Sequence, residues 1–400
     1  MSLFDKFELV AQSRRALASD GPPPVATPFD RVLSATRGVI NGQEVLLAGT
    51  NNYLGLTFHP QVIEKAKTAL EELGSGTTGS RMANGSYASH HALEAELAAA
   101  FGWSSAMVFS TGYQANVGVM SSIVGTGEYL LIDADSHASI YDGCRMSKAQ
   151  TLTFRHNDPD NLDRKLERLG ADAKKTLVVV EGLYSMLGDQ PPLQEFVDVK
   201  NKHGAWLLVD EAHSFGVFGD KGLGLTESMG LLDEVDFAVG TFSKSLAGIG
   251  GFCVSPHAEL DLLRLASRPY IFTASPSPAV VAATREALSL VLSGQHLRQQ
   301  LKKNMERLYE GATAAGFELG SEIPGPVAAL ILPDRETALS HWHQLLDHGV
   351  YANLMIPPAT PNGLCLLRLS LSAAHTDEDI DQILFALNGI KAQQNQAAKA

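Results

Sequence analysis

Trp206-Leu-Leu-Val-Asp-Glu-Ala-His213 begins with four apolar residues and closes on two carboxylates and a histidine. A short apolar run that ends abruptly in polar groups is the pattern of a strand buried on both faces of a parallel sheet, with its polar residues at the C-terminal edge. Similar runs recur at 106–109, 129–132, 151–154, 176–180 and 235–239, separated by stretches of helical spacing. Strands alternating with helices predict βαβ units, and so a large α/β domain around a mostly parallel sheet.

Outward from this region the texture changes. After Pro276 come helical patterns at 279–292 and 299–315, an apolar run at 327–332, a further helix, a strand at 364–371 and a last helix. This predicts a smaller α+β C-terminal domain. The expected division is an N-terminal arm at 1–45, which contains a Pro-rich stretch, a large domain at 46–275, the small domain at 276–392 and a frayed tail at 393–400. Four hundred residues suffice for two or three cores, and 45% hydrophobic with 19% charged residues is the composition of a soluble globular protein. Net charge is 31 − 44 = −13, the wrong sign for a nucleic-acid or anionic-lipid surface, which leaves a small molecule as the expected partner. Three isolated cysteines, Cys144, Cys253 and Cys365, fit neither a disulfide framework nor a metal clamp and point to a reducing compartment. The first residues lack an apolar signal core, and no apolar run approaches the roughly 18 residues of a membrane span. A cytoplasmic location without integral membrane association is expected.

Three familiar motifs can be weighed and set aside. Gly74-Ser-Gly-Thr-Thr-Gly79 spells the dinucleotide fingerprint but follows a helical run at 64–73 instead of a strand, so its glycines read as a helix end and a loop. Asp210-Glu-Ala-His213 spells a helicase-type box, yet its required phosphate loop is missing: Gly240-Thr-Phe-Ser-Lys244-Ser has Ser243 where glycine belongs. No GxSxG elbow occurs. What remains is a set at strand ends, where open α/β sheets place ligands: Asp210 and His213, Lys244 in a Ser/Thr/Gly-rich loop, and His137 in Asp133-Ala-Asp-Ser-His137. A lysine there can form an imine with an aldehyde cofactor, and a strand-end carboxylate can hold a pyridinium nitrogen. Ser110-Thr-Gly-Tyr-Gln114, between a strand and the helix beginning near Ala115, is an anion site at a helix N-terminus, with Thr241 and Ser243 as further hydroxyl donors. Taken singly each residue has an ordinary structural explanation, and the order of the whole set carries the reading.

Asp210-Glu-Ala-His213 and Gly240-Thr-Phe-Ser-Lys244-Ser, with Phe109-Ser-Thr-Gly-Tyr113, His137-Ala-Ser and Glu181-Gly-Leu-Tyr-Ser185-Met-Leu-Gly-Asp189, resemble the α-oxoamine synthase family of fold type I pyridoxal phosphate enzymes. The resemblance runs from about Leu46 to the final helix and implies a seven-stranded-type sheet in the large domain. Phe154-Arg-His-Asn157, Arg268-Pro-Tyr-Ile-Phe-Thr-Ala-Ser275 and Pro357-Pro-Ala-Thr-Pro361 are most similar to the soluble bacterial members that condense L-serine with palmitoyl-CoA.

The resemblance implies pyridoxal 5'-phosphate held covalently on Lys244, which also serves as general base. It implies Asp210 at the pyridine nitrogen, His137 stacked on the ring, and His213 with Ser185 near the phenolic oxygen. Gly112, Tyr113, Thr241 and Ser243 match the phosphate cup. Thr273 and Ala274 match a segment that reaches the phosphate from a second subunit, implying a homodimer with shared active sites. Arg368 matches the grip on the amino-acid carboxylate, and Asn52 a motif at the substrate entrance. No metal is implied. The implied reaction gives 3-oxosphinganine, CoA and carbon dioxide; the alternative is a sibling that uses alanine or glycine with another acyl thioester, such as 8-amino-7-oxononanoate synthase. An acyl-carrier protein in place of CoA is a further possible donor. One position departs from the family pattern: an arginine commonly precedes the Pro-Pro pair, and here Ile356 stands in that place.

Overall fold

The computed structural model describes residues 2–8, 11–12 and 22–397, with backbone alone for 395–397. The chain divides into two units.

The larger unit comprises residues 51–303 with 372–374. Its sheet has seven strands: β1 (Ser105–Phe109), β2 (Tyr129–Asp133), β3 (Gln150–Phe154), β4 (Thr176–Glu181), β5 (Trp206–Asp210), β6 (Phe237–Thr241) and β7 (Gly251–Ser255). Their spatial order is β1-β7-β6-β5-β4-β2-β3. Strand β7 is antiparallel to both neighbours and the remaining pairs are parallel, so six strands point the same way. Alternate residues supply two cores, as the two-residue period of a strand requires. Val179 and Leu208 pack on one face with Met120 and Ile140, while Val178, Val180, Leu207 and Val209 pack on the other with Leu162 and Phe196.

The mostly parallel α/β sheet is as expected, with two differences. Strand β6 begins at Phe237 rather than 235, because Asp236 exchanges hydrogen bonds with Leu207: Asp236 N donates to Leu207 O at 3.0 Å, and Leu207 N to Asp236 Oδ2 at 2.8 Å. Strand β7 was not foreseen as an individual strand; its ladder partners, β1 and β6, lie far from each other in sequence.

The smaller unit comprises the described residues of 1–50, 304–371 and 375–400. One of its sheets joins the hairpin Arg37–Ile40/Gln43–Leu47 to Val350–Tyr351; the other is formed by Glu318–Leu319, Val327–Leu332, Cys365–Ser370 and Asn353–Met355. Thus the described part of the expected arm belongs to the small unit, and residues 1, 9–10 and 13–21 lie outside the described residues. The division falls within the helix Gln295–Ala314 and not at 275/276. The reason is that Pro278–Ser293 packs on Pro60–Leu73 and Ala88–Phe101, burying Val281, Ala287, Leu288 and Val291 in the larger unit. The last helix runs Asp377–Ala397, so 393–397 of the expected tail are helical and 398–400 lie outside the described residues.

A buried ion cluster ties elements of the larger unit together. Arg81 donates to both Glu94 oxygens at 2.9 and 3.0 Å, Arg264 Nη1 to Glu94 Oε1 at 2.9 Å, and Val108 N to the same oxygen at 3.0 Å. Burial by itself would raise the Glu94 carboxyl, but the two guanidinium groups outweigh it and hold the group below the ordinary carboxylate range. Removing one member of such a cluster strands buried charge. Glu94→Ala is expected to cost about 3–5 kcal/mol, read as a lowered unfolding free energy in denaturant titration; a loss below about 1 kcal/mol would show the cluster to be dispensable.

Candidate active site

The C-terminal edge of the sheet surrounds a cavity of about 300 Å3. Strand β5 delivers Asp210 there, 4% exposed, at the ladder position shared by Glu181 and Val239. Both of its oxygens are occupied: Asn116 Nδ2 donates to Oδ2 at 2.6 Å and Ala212 N to Oδ1 at 2.9 Å. Asn116 lies one turn into helix α1 (Gly112–Ile123), which Thr111 caps by accepting from Gln114 N at 3.0 Å. Asn116 Nδ2 also donates to Ser139 Oγ at 3.0 Å, linking α1 to helix α2 (Ala138–Met146).

His137 caps α2. Its Nδ1 accepts from Ser139 N at 3.2 Å, and its backbone N–H donates to Glu181 Oε1 at 2.5 Å. Burial lowers the His137 pKa below its ordinary value, Asp210 opposing and Lys244 assisting. Glu181, 3% exposed, is driven well above the carboxylate range, by burial first and by the nearby Asp210 charge second. His213 is buried, with Tyr53 Oη 2.6 Å from its Nδ1.

At the other end of the cavity Thr241 and Ser243 are 2.9 Å apart between hydroxyls, and Ser243 N donates to Thr241 Oγ1 at 3.3 Å. A Cβ on Gly112 would meet Thr241 Cβ at 2.7 Å, so only glycine lets the N-terminus of α1 approach this loop. The leading N–H groups of a helix have no intrahelical acceptor, so this end is shaped for an anion. Among the described residues no group of three or more His, Cys, Asp or Glu side chains is gathered for a metal ion.

Gly112, Tyr113, His137, Asp210, His213, Thr241, Ser243 and Lys244 all line this cavity. Ser185, Asn52, Thr273 and Ala274 are not among its lining residues. Asn52 donates to Thr57 Oγ1 at 2.8 Å, Thr273 Oγ1 accepts from Gln114 Nε2 at 3.1 Å, and the Ala274 carbonyl accepts from Ser110 Oγ. Arg368 belongs to the smaller unit, buried on the strand Cys365–Ser370 opposite Ala329 and Asn353. Sequence reading missed Asn116. The available signal was its position four residues after Gly112, one helical turn, which puts the two on one face.

The description "Aminotransferase class I and II" fits residues 43–387 of this chain. The chain belongs to that aminotransferase family, on its α-oxoamine synthase branch. A serine palmitoyltransferase of Caulobacter vibrioides is 53% identical over 384 residues, covering 96% of this chain and 95% of the relative. A solved serine palmitoyltransferase from S. paucimobilis, with a bound PLP-myriocin aldimine, superposes with a TM-score of 0.95 at 46% identity, covering 98% of this chain and 99% of the other. An 8-amino-7-oxononanoate synthase of Lysinibacillus sphaericus is 38% identical over 352 residues, 88% of this chain and 90% of the relative. The fold is therefore fold type I.

The anion end of this synthase site can be tested on its own. Gly112→Ala is expected to destabilise by about 1–3 kcal/mol, the ordinary cost of overpacking, and a double-mutant cycle with Thr241→Gly should show that cost shrinking. Additive losses would mean that the two residues do not press on each other.

Proposed function

We propose that the protein is a pyridoxal phosphate-dependent acyltransferase that condenses L-serine with a long-chain acyl-CoA, palmitoyl-CoA, to give 3-oxosphinganine, CoA and carbon dioxide, the first step of sphingolipid synthesis. The cofactor chemistry is carried by the convergence of Lys244, Asp210, His137 and His213 on one cavity whose far end is a helix N-terminus opened by Gly112, and the choice of serine and a long acyl chain by the likeness to the Caulobacter serine palmitoyltransferase over nearly the whole chain. These residues fit the cofactor. Its phosphate suits the glycine-dependent cradle of Gly112, Tyr113, Thr241 and Ser243. Its ring nitrogen suits Asp210, both of whose oxygens are fixed by donors.

When bound, pyridoxal phosphate supplies a protonated ring that withdraws the electron pair left on the amino-acid α-carbon. Lys244 anchors the cofactor at rest; its Nζ then takes the α-proton of serine and returns a proton to the same carbon after carbon dioxide has left. His137, made less basic by burial, offers an uncharged ring to the cofactor's face and brings no competing cation. His213, fixed by Tyr53, and Ser185 are assigned to the phenolic oxygen. Arg368 is assigned to the serine carboxylate, which its planar fork can grip in bidentate fashion, and Asn52 to the substrate entrance.

A homodimer is part of this reading, with Thr273 and Ala274 serving the phosphate of the second copy. Phe272 beside them is 72% exposed, an apolar group such a partner would cover. Cys144, Cys253 and Cys365 are free thiols, in keeping with a reducing, cytoplasmic setting. Among the described residues no helix is long and apolar enough to cross a membrane.

Borohydride should abolish the visible absorbance of the holoenzyme and add a cofactor-sized mass to the peptide containing Lys244. Lys244→Ala should show no such addition, and labelling at another lysine sinks the assignment. For the substrates, the ratio of kcat/KM values should favour serine over alanine and glycine, and C16 acyl-CoA over short or dicarboxylyl thioesters. If alanine outperforms serine, the sibling activity replaces this one; if only an acyl-carrier protein donates, CoA is not the carrier.

A further inference from the structure

His156 does not line the cavity, yet it sits where three strand-end loops meet. Its Nδ1 is 2.8 Å from Asp133 Oδ1 and its Nε2 is 2.7 Å from Asp189 Oδ2. A carboxylate offers only acceptors, so two such bonds at once require both ring nitrogens to carry protons. That ring is an imidazolium.

Its surroundings are built for this charge. Asp133, fully buried at the end of β2, also accepts from Asp135 N at 2.8 Å and Asn157 N at 3.0 Å. Asn157, held at φ +50°, sends its Nδ2 to Asp189 Oδ2 at 2.8 Å and to Gln190 O at 3.2 Å. Tyr184 packs edge-on against the His156 ring, centroids 4.5 Å apart. The facing charged and titratable groups are therefore Asp133, Asp189, Asp135 and Tyr184. Burial pulls the His156 pKa down, but the hydrogen bonds and charges of Asp133 and Asp189 together outweigh it and push the value up to about 10.

Asp133 leads within four residues to His137, and the loop ending in Asp189 contains Ser185. We propose that His156, as a fixed imidazolium bridging Asp133 and Asp189, is the positioning residue that braces the loops carrying His137 and Ser185. This rests on the reading above that both residues face the cofactor.

Two measurements on the holoenzyme test it. In long-range 1H–15N spectra, with the signal assigned by its absence from His156→Gln, both ring nitrogens should remain protonated from pH 6 to pH 9. A His156 signal that titrates near the ordinary value of about 6.5 overturns the proposal, whatever the cofactor does. In His156→Gln, kcat should fall between about tenfold and a hundredfold, the scale of loss when a reacting group is misplaced. The absorbance of the bound cofactor should shift, while the KM for acyl-CoA should change less than about twofold. Asp189→Asn should move kcat and absorbance in the same direction by less, and it carries the kinetic test if His156→Gln fails to fold. Variants that lose thermal stability but keep wild-type kcat and absorbance overturn the proposal, because bracing would then serve only the fold. Borohydride labelling of Lys244 in the unmodified enzyme is the separate control: its failure removes the functional reading and leaves the spectroscopic test of the bridge standing.

Discussion

Six strands of the large sheet point the same way, and this constrains everything at the site. Each of these strands ends at one edge, so the segments after β1, β2, β4, β5 and β6 must open on a common rim. The reversed strand β7 finishes the geometry. Gly251, its first residue, pairs with both Phe109 and Thr241, and a Cβ there would meet the Gly112 backbone at 2.5 Å. Two segments more than a hundred residues apart are thereby brought into van der Waals contact, and a helix N-terminus is placed against a hydroxyl-bearing loop.

Burial at that rim produces opposite electrostatics in two histidines. His137 faces Glu181 through its backbone N–H only, and desolvation prevails, so the ring tends to be neutral. His156 has carboxylates at both ring nitrogens, and their pull exceeds the desolvation that acts on it too. The difference lies in which atoms meet a carboxylate, since both residues are substantially buried. One edge can thus hold an uncharged ring over the cavity and a charged ring behind it.

The strand-end logic is legible in the sequence because it needs only short apolar runs and the polar residues that finish them. Asp210, His213 and Lys244 are visible in this way. Asn116 is not, since an asparagine within a helix carries no mark of its partner; its bonds to Asp210 and Ser139 exist only once α1 and α2 pack together. The two-residue shift of β6 has a similar origin, because apolar pattern cannot show that Asp236 is engaged by Leu207 outside the strand. Nor could pattern show that Leu46 and Leu47 pair with Val350 and Tyr351, a contact made across most of the chain length.

The box Asp210-Glu-Ala-His213 shows why matching letters do not transfer chemistry. Successive residues leaving a strand turn to opposite sides, and here the two neighbouring carboxylates part company. Asp210 faces the cavity. Glu211, fully buried, turns into a closed nest in which Leu225 N and Thr226 N donate at 2.9 Å each and the hydroxyls of Ser214 and Thr226 complete the shell. Glycines at 182 and 224 leave room for it, as a Cβ at either would meet a Glu211 oxygen at 2.3 or 2.2 Å. Burial raises the Glu211 carboxyl while its four donors oppose the rise. With its oxygens consumed by protein donors, Glu211 has nothing left to offer a metal ion or a water molecule, so the second letter of the box anchors the turn that presents Asp210 and His213.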